Sequence, residues 1–203
     1  MDERERCVRT VDSSSVVEME VDAGCGDRRG SPGTDRRHAF VPSPLGDLLV
    51  AAEGPALCGL FFSPHKYAPD IGELGPQVSA PSDPVFAAAA AELGEYFASR
   101  LTEFTVPVAA RGDAFSESVW RILTEIPCGA TRSYGDIAEQ LGNRSLAQRV
   151  GQCVGHNPVS IVIPCHRVVG SGGELTGYAG GLERKRRLLA IEEPPAEVAG
   201  RLF

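Results

Sequence analysis

"SYGDIAEQLGNRSLAQRVGQCVG", residues 133–155, decides the fold of the half of the chain in which it stands. Ser133 is placed to cap a helix through "YGDIAEQL" that ends at Gly142, and Ser145 to cap a second through "LAQRVGQCVG" that ends before Asn157-Pro158. Two short helices joined by Gly-Asn-Arg have the rhythm of a helix-turn-helix, although a plain pair of core helices has the same rhythm. At about 100° per residue, Leu146, Ala147, Val150, Cys153 and Val154 share one face of the second helix. The opposite face carries Gln148, Gly151, Gln152 and Gly155, with Arg149 at its edge. A face so small and uncharged can approach another surface closely, and a DNA groove is one such surface.

Upstream, residues 115–126 read as another helix, with Arg111-Gly112-Asp113 as a boundary before it. "PVFAAAAAELGEYFASR" is a helix with Asp83 as N-cap and Pro84 at its first position. "EFTVPVA" suggests one more strand. "HAFVPSPLGDLLVAAEGPALCGLFF" reads as two or three short strands punctuated by Pro-Leu-Gly and Glu-Gly-Pro. Residues 1–37 show no sustained period and are rich in Arg, Asp, Ser and Gly, which predicts a disordered extension. The expected class is α/β (α+β), with bodies at 38–110 and 111–193 and a tail at 194–203.

The 203 residues, 42% apolar and 23% charged, are ordinary for a soluble globular protein. No run approaches the roughly 18 apolar residues of a membrane span, and the charged N-terminus lacks a signal-peptide core. The expected location is therefore the cytoplasm, with no membrane partner. A net charge of -7 argues against nucleic acid only until it is divided along the chain. Residues 38–110 hold 2 basic and 8 acidic side chains, whereas residues 111–192 hold 10 and 8. Phosphate binding depends on local field, so the second half permits DNA binding without demanding it.

Downstream, "SIVIPCHRVVG" (160–170) has strand character up to Pro164 and then sets Cys165 beside His166. Side chains of neighbours on extended backbone diverge, so direct contact between the two is not expected. Of six cysteines, Cys7 and Cys25 fall in the extension, Cys58 in a strand run, Cys128 in a turn and Cys153 on a packing face. Cys165 alone has a histidine and an arginine adjacent, and a nucleophilic thiol needs a base or a positive surrounding. In "GLERKRRLLAIE", Glu192 falls inside the apolar arc of Leu188, Leu189 and Ile191, at a helix C-terminus where the dipole disfavours an anion. It needs a donor: a neutral imidazole N–H would serve, and so would a local ion pair with Lys185. "RKRR", 184–187, reads as a solvated helix face.

"NPVSIVIPCHRVVGSGGELTGYAGGLERKRRLLAIE", with "GATRSYGDIAEQLG" before it, resembles the O6-alkylguanine-DNA alkyltransferase family, also called methylated-DNA–protein-cysteine methyltransferases. Pro-Cys-His-Arg-Val is the signature, and "SPLGDLLVA" resembles the family's N-terminal domain. The resemblance implies a ribonuclease-H-like small sheet with a helix, followed by a mostly helical, winged-helix-like domain. It implies single-turnover DNA repair on double-stranded DNA: the damaged nucleotide is flipped out, and the alkyl group of O6-alkylguanine, or of O4-alkylthymine, passes irreversibly to Cys165. His166 would be the base through a bridging water, with Glu192 orienting its imidazole. Asn157 would brace the thiol, and Tyr134 would help rotate the nucleotide and give a proton to the departing guanine. Val168, Val169, Tyr178, Ala179 and Gly180 would wall the pocket. Ser133, Gln148, Arg149, Gly151, Gln152 and Arg167 would meet DNA. No cofactor or metal is implied, and the protein would act as a monomer.

Two departures stand out. Family members commonly carry an arginine that fills the gap left by the extruded base; here that position is Gln148, with Arg149 beside it. One residue turns a helical side chain by about 100°, so Gln148 is expected to face the groove, although three residues after Ser145 it could also complete a capping box. Some relatives bind zinc in the N-terminal domain, but the matching positions include Glu53 and Cys58 and give no complete ligand set. The rival readings are a lesion-binding protein that accepts no alkyl group, against which Cys165 argues, and a Cys-His hydrolase, which would want an oxyanion hole.

Overall fold

The computed structural model describes residues 35–193, so Cys7, Cys25, most of the expected extension and the tail at 194–203 lie outside the described residues. Three strands come first: β1 (Arg36–Val41), β2 (Leu48–Glu53) and β3 (Ala56–Phe62), paired antiparallel in that order. Gly46 and Gly54 turn the chain between them at φ 103° and 56°, a region that costs a glycine nothing. Arg36 and Arg37 belong to β1, which corrects the expected extension by two residues. Their charges hid the strand. Each guanidinium finds a carboxylate, Arg36 on Glu53 at 3.2 Å and Arg37 on Asp83.

Helix α1 (Pro84–Phe97) covers the sheet. Asp83 caps it, accepting from the Val85 and Phe86 amides at 2.9 and 3.2 Å, which satisfies donors that a helix start leaves without partners. The inward stripe is Phe86, Ala89, Leu93 and Tyr96. The expected strand at "EFTVPVA" is reduced to a single bridge between Leu57 and Val108, since Pro107 has no amide to extend a ladder.

Helix α2 (Ala114–Thr124) is capped by Asp113, buries Val119, Trp120, Ile122 and Leu123, and ties itself down through Trp120 Nε1, which donates to the Cys153 carbonyl at 2.9 Å. Strand β4 (Arg132–Ser133) then runs into α3 (Tyr134–Gln140), where Ser133 and Asp136 cap each other's amides reciprocally. A turn through Gly142 and a 3-10 turn at Arg144–Leu146 lead to α4 (Ala147–Gly155), completing the helix-turn-helix. Asn143, not Ser145, caps this entry, accepting from the Ser145 amide at 2.9 Å. The expected Ser145–Gln148 capping box is therefore absent here: the 3-10 turn moves the helix start past Ser145 and leaves Gln148 exposed.

The apolar run after α4 is a tight turn rather than a strand. Leu60 on β3 brackets it, donating to Pro158 O at 2.8 Å and accepting from the Ser160 amide at 2.9 Å. Ile161 sits at φ 71°, unfavourable for a β-branched residue. Prolines at 158 and 164 interrupt any ladder, so the strand pattern reports burial only: Val159, Ile161 and Ile163 are all core. A second 3-10 turn, Cys165–Arg167, runs into β5 (Val168–Val169), which pairs parallel with β4. Helix α5 (Leu182–Glu192) closes the described chain. One core runs from Val50 and Phe62 in the sheet to Val150 and Leu188 in the helices. Among the described residues no helix is long and apolar enough to cross a membrane.

Candidate active site

The 3-10 turn answers how Cys165 and His166 can serve one chemistry. Successive residues on such a turn rotate by about 120°, so the two side chains leave in different directions. His166 is fully buried and meets α5, its Nε2 lying 2.8 Å from Glu192 Oε1. Glu192 gathers more donors than expected. Arg167 reaches it in a fork, Nε to Oε2 at 2.8 Å and Nη2 to Oε1 at 2.9 Å, while Nη1 donates to the Ile126 carbonyl at 2.5 Å. Tyr96 Oη donates to Oε1 at 2.8 Å, and the Gly129 amide to Oε2 at 3.4 Å. Burial pushes the Glu192 pKa up, but the bonds from His166 and Arg167 overcome it and hold the carboxyl well below its ordinary range.

This electrostatic frame fixes the imidazole. Burial lowers the His166 pKa, with Glu192 opposing, so the ring is neutral at neutral pH. Its Nε2–H is committed to the carboxylate, and Nδ1 keeps its lone pair with no partner among the described residues. Thr176 Oγ1 and Tyr178 Oη, on the loop that follows, are enclosed and unpartnered in the same way. Cys165 itself is 4% exposed. Burial raises its pKa against the opposing effects of Asn157 and Lys185, so it rests protonated and needs a base on demand.

Asn157 holds the turn beneath the thiol. Its Nδ2 donates to Ile163 O at 2.8 Å, and its Oδ1 accepts from the Val159 amide at 3.0 Å. Asn157→Ala is expected to lower the unfolding free energy by about 1–3 kcal/mol, because the buried Val159 amide loses its partner beside Ile161 and the Ile163 carbonyl keeps only its bond from the Cys165 amide. A fall in the urea midpoint at unchanged slope would show it.

Tyr134 stands at the start of α3, half-buried, its hydroxyl donating to Thr176 O at 3.3 Å. Its ring edge lies 3.7 Å from where a Cβ on Gly151 would sit, so a small residue in α4 makes room for it. Lys185 donates to the same Thr176 carbonyl at 2.7 Å and to Val168 O at 2.5 Å. Its ammonium is engaged there, and the imagined Lys185–Glu192 pair does not form. Burial lowers its pKa to about 8. Val168 and Val169 are buried and Ala179 is half-buried. A Cβ on Gly180 would press against the Tyr178 ring at 2.9 Å and Phe62 at 3.0 Å.

Two expected DNA contacts are corrected. Arg167 is buried with its donors on Glu192 and Ile126, so it orients the carboxylate instead of meeting phosphate. Ser133 is buried and its hydroxyl caps α3. Gln148, Arg149 and Gln152 are exposed on α4, and the Arg149 guanidinium lies 3.9 Å above the Phe115 ring. Cys153 packs as expected, while Cys128 stands in the turn after Ile126. A cavity of about 790 Å³ is lined by Phe104, Trp120, Cys128 and Arg167, among others. Sequence reasoning missed Tyr96. The available signal was a tyrosine in an otherwise apolar helix stripe, whose hydroxyl must find a partner when buried.

Comparison with known proteins finds matches over both halves of the described residues. Residues 37–110 match the family described as 6-O-methylguanine DNA methyltransferase, ribonuclease-like domain, and residues 114–194 its DNA binding domain. The chain is 46% identical over 163 residues to the methylated-DNA–protein-cysteine methyltransferase of Mycolicibacterium paratuberculosis, covering 80% of this chain and 96% of that one. A crystal structure of Mycobacterium tuberculosis O6-methylguanine methyltransferase superposes with a TM-score of 0.70 at 42% identity, covering 81% of this chain and 98% of its own. A second, of Mycobacterium tuberculosis OGT in complex with DNA, gives 0.70 at 44% identity, covering 77% and 92%.

Proposed function

The chain belongs to the 6-O-methylguanine DNA methyltransferase family, and from that premise we propose that Cys165 is the sulfur on which its DNA-repair chemistry ends. The protein is a methylated-DNA–protein-cysteine methyltransferase and repairs DNA by direct alkyl transfer. In our reading, the substrate is O6-alkylguanine, and O4-alkylthymine, in duplex DNA. Residues 38–110 form the ribonuclease-like body and residues 111–193 the DNA-binding body, and the protein acts as a monomer.

The observation that carries the assignment is the buried His166 with Nε2 on Glu192 and Nδ1 without a partner among the described residues. Cys165 gives its proton to Nδ1 through a bridging water. The sulfur attacks the carbon of the alkyl group, the carbon–oxygen bond breaks, and the electron pair goes to guanine, which takes a proton from Tyr134. The new carbon–sulfur bond is stable, so each molecule reacts once. The arriving base is flipped from the stack, at a cost of a few kcal/mol, and meets Thr176, Tyr178 and the valines.

Mixing the protein with an O6-methylguanine duplex and taking the intact mass tests this. A gain of one methyl mapped to Cys165 is expected. Binding with no mass change would favour a lesion sensor, and repeated turnover a hydrolase.

On the DNA face, Gln148 fills the gap left by the extruded base, and Arg149, leaning on Phe115, contributes charge. Gln148→Ala is expected to slow transfer on duplex DNA several-fold. Arg149→Ala is expected to weaken affinity across all sequences and to reduce the salt slope by about 1. Unchanged transfer and affinity in Gln148→Ala, with both abolished in Arg149→Ala, would reverse the assignment.

A further inference from the structure

We propose that Tyr96 is a positioning residue for alkyl transfer: its hydroxyl, delivered by α1, fixes the Glu192 oxygen that holds His166. The proposal rests on the reading of Cys165 as acceptor and His166 as base. It gives the N-terminal body a part in the chemistry, because α1 lies outside the segment that carries Cys165, His166 and Glu192.

Three observations support it. Tyr96 is 1% exposed, and its hydroxyl donates to Glu192 Oε1 at 2.8 Å while standing 3.5 Å from His166 Nε2. Oε1 is the oxygen that His166 uses, and Arg167 Nη2 also donates to it. With Arg167 Nε and the Gly129 amide on Oε2, donors fill the roughly four lone-pair sites of a carboxylate, and its rotation is locked. The Tyr96 ring is itself held, edge-on to Phe97 at 5.5 Å and tilted on Phe104 at 5.4 Å. A phenylalanine would serve this packing equally well. The hydroxyl is the part that packing does not explain.

A donor on Oε1 also draws charge from the oxygen that would stabilise the imidazolium. The charged and titratable groups facing this pair are Arg167 and Cys165 from the 3-10 turn, Lys185 from α5, Cys128 from the turn before β4, and Tyr96 itself. Removing only the Tyr96 hydroxyl leaves the others in place. Oε1 then holds the imidazolium more strongly, and the carboxylate, still gripped by the Arg167 fork, loses the contact that α1 makes with it.

Tyr96→Phe is expected to transfer methyl about tenfold more slowly, at the low end of what losing a partner behind an oriented imidazole costs. Its affinity for the duplex is expected to be unchanged, and the acid limb of its rate–pH profile to move to higher pH. Phe104→Leu loosens the same packing without touching the hydroxyl; it is expected to lower the unfolding midpoint and keep the unsubstituted profile. The proposal is overturned if the Tyr96→Phe profile superimposes on the unsubstituted one, or if Phe104→Leu shifts it equally. Failure of the underlying reading looks different: the unsubstituted protein would then gain no methyl at Cys165.

Discussion

Cys165→Ser is expected to bind an O6-methylguanine duplex and gain no mass from it. The substitution is nearly isosteric, so the Cys165–Arg167 turn and the bonds from His166 to Glu192 are retained. What changes is the nucleophile. A thiol with a raised pKa can still be drawn to thiolate by a neutral imidazole, and sulfur is intrinsically nucleophilic. A serine hydroxyl is far less acidic, and alkyl transfer, unlike acyl transfer, offers no tetrahedral oxyanion for the protein to stabilise. Intact mass and gel-shift measurements on the same sample separate the two functions: binding persists and transfer falls below detection. A methyl still appearing, on Cys58, Cys128 or Cys153, would displace Cys165 as the acceptor.

The second large effect is expected from Glu192→Gln. The carboxylate is the shared acceptor of His166, Arg167 and Tyr96. Removing its charge leaves the Arg167 guanidinium buried without a counter-ion, a loss of about 3–5 kcal/mol. The pH dependence has a definite sign. The folded pKa of Glu192 is depressed below its ordinary 4.5, so its contribution is complete above that value and is lost as pH falls toward the folded pKa. Urea unfolding should therefore show the gap between the variant and the unsubstituted protein widest at neutral pH and narrowing in acid. Transfer by the folded variant should fall by about 10²-fold, the lower range for losing effective general-base catalysis, because a neutral amide does not stabilise an imidazolium. Equal stability at neutral pH would mean that Arg167 finds another partner.

How much of this was legible in the sequence depended on distance along the chain. The three strands of residues 36–62, the Asp83 and Ser133 caps and the first helix of residues 133–155 are set by local signals and form within two residues of them, whereas the second helix starts past Ser145. That Glu192 meets a buried donor was legible as well, because a carboxylate inside an apolar helix arc calls for one, although the arc left His166 and Lys185 both open. The Ile161 turn was not: alternating apolar residues look the same whether a ladder or mere burial requires them, and only Asn157 and Leu60 show which. Arg167 misled for a related reason. The resemblance set it among the DNA contacts, and the carboxylate that claims it arrives 25 residues later. Tyr96 stands 96 residues from Glu192: its place in an apolar stripe signals that its hydroxyl needs a partner but not which one.

The burial of Cys165 carries a last consequence. Cys165 is 4% exposed, with Asn157 and Lys185 acting on its thiol. Once that sulfur has taken a methyl, repair has made a small-to-large core substitution in the protein without a change of gene. Such overpacking typically costs 1–3 kcal/mol. The spent molecule is then, in effect, a mutant of the fresh one, written by its own substrate.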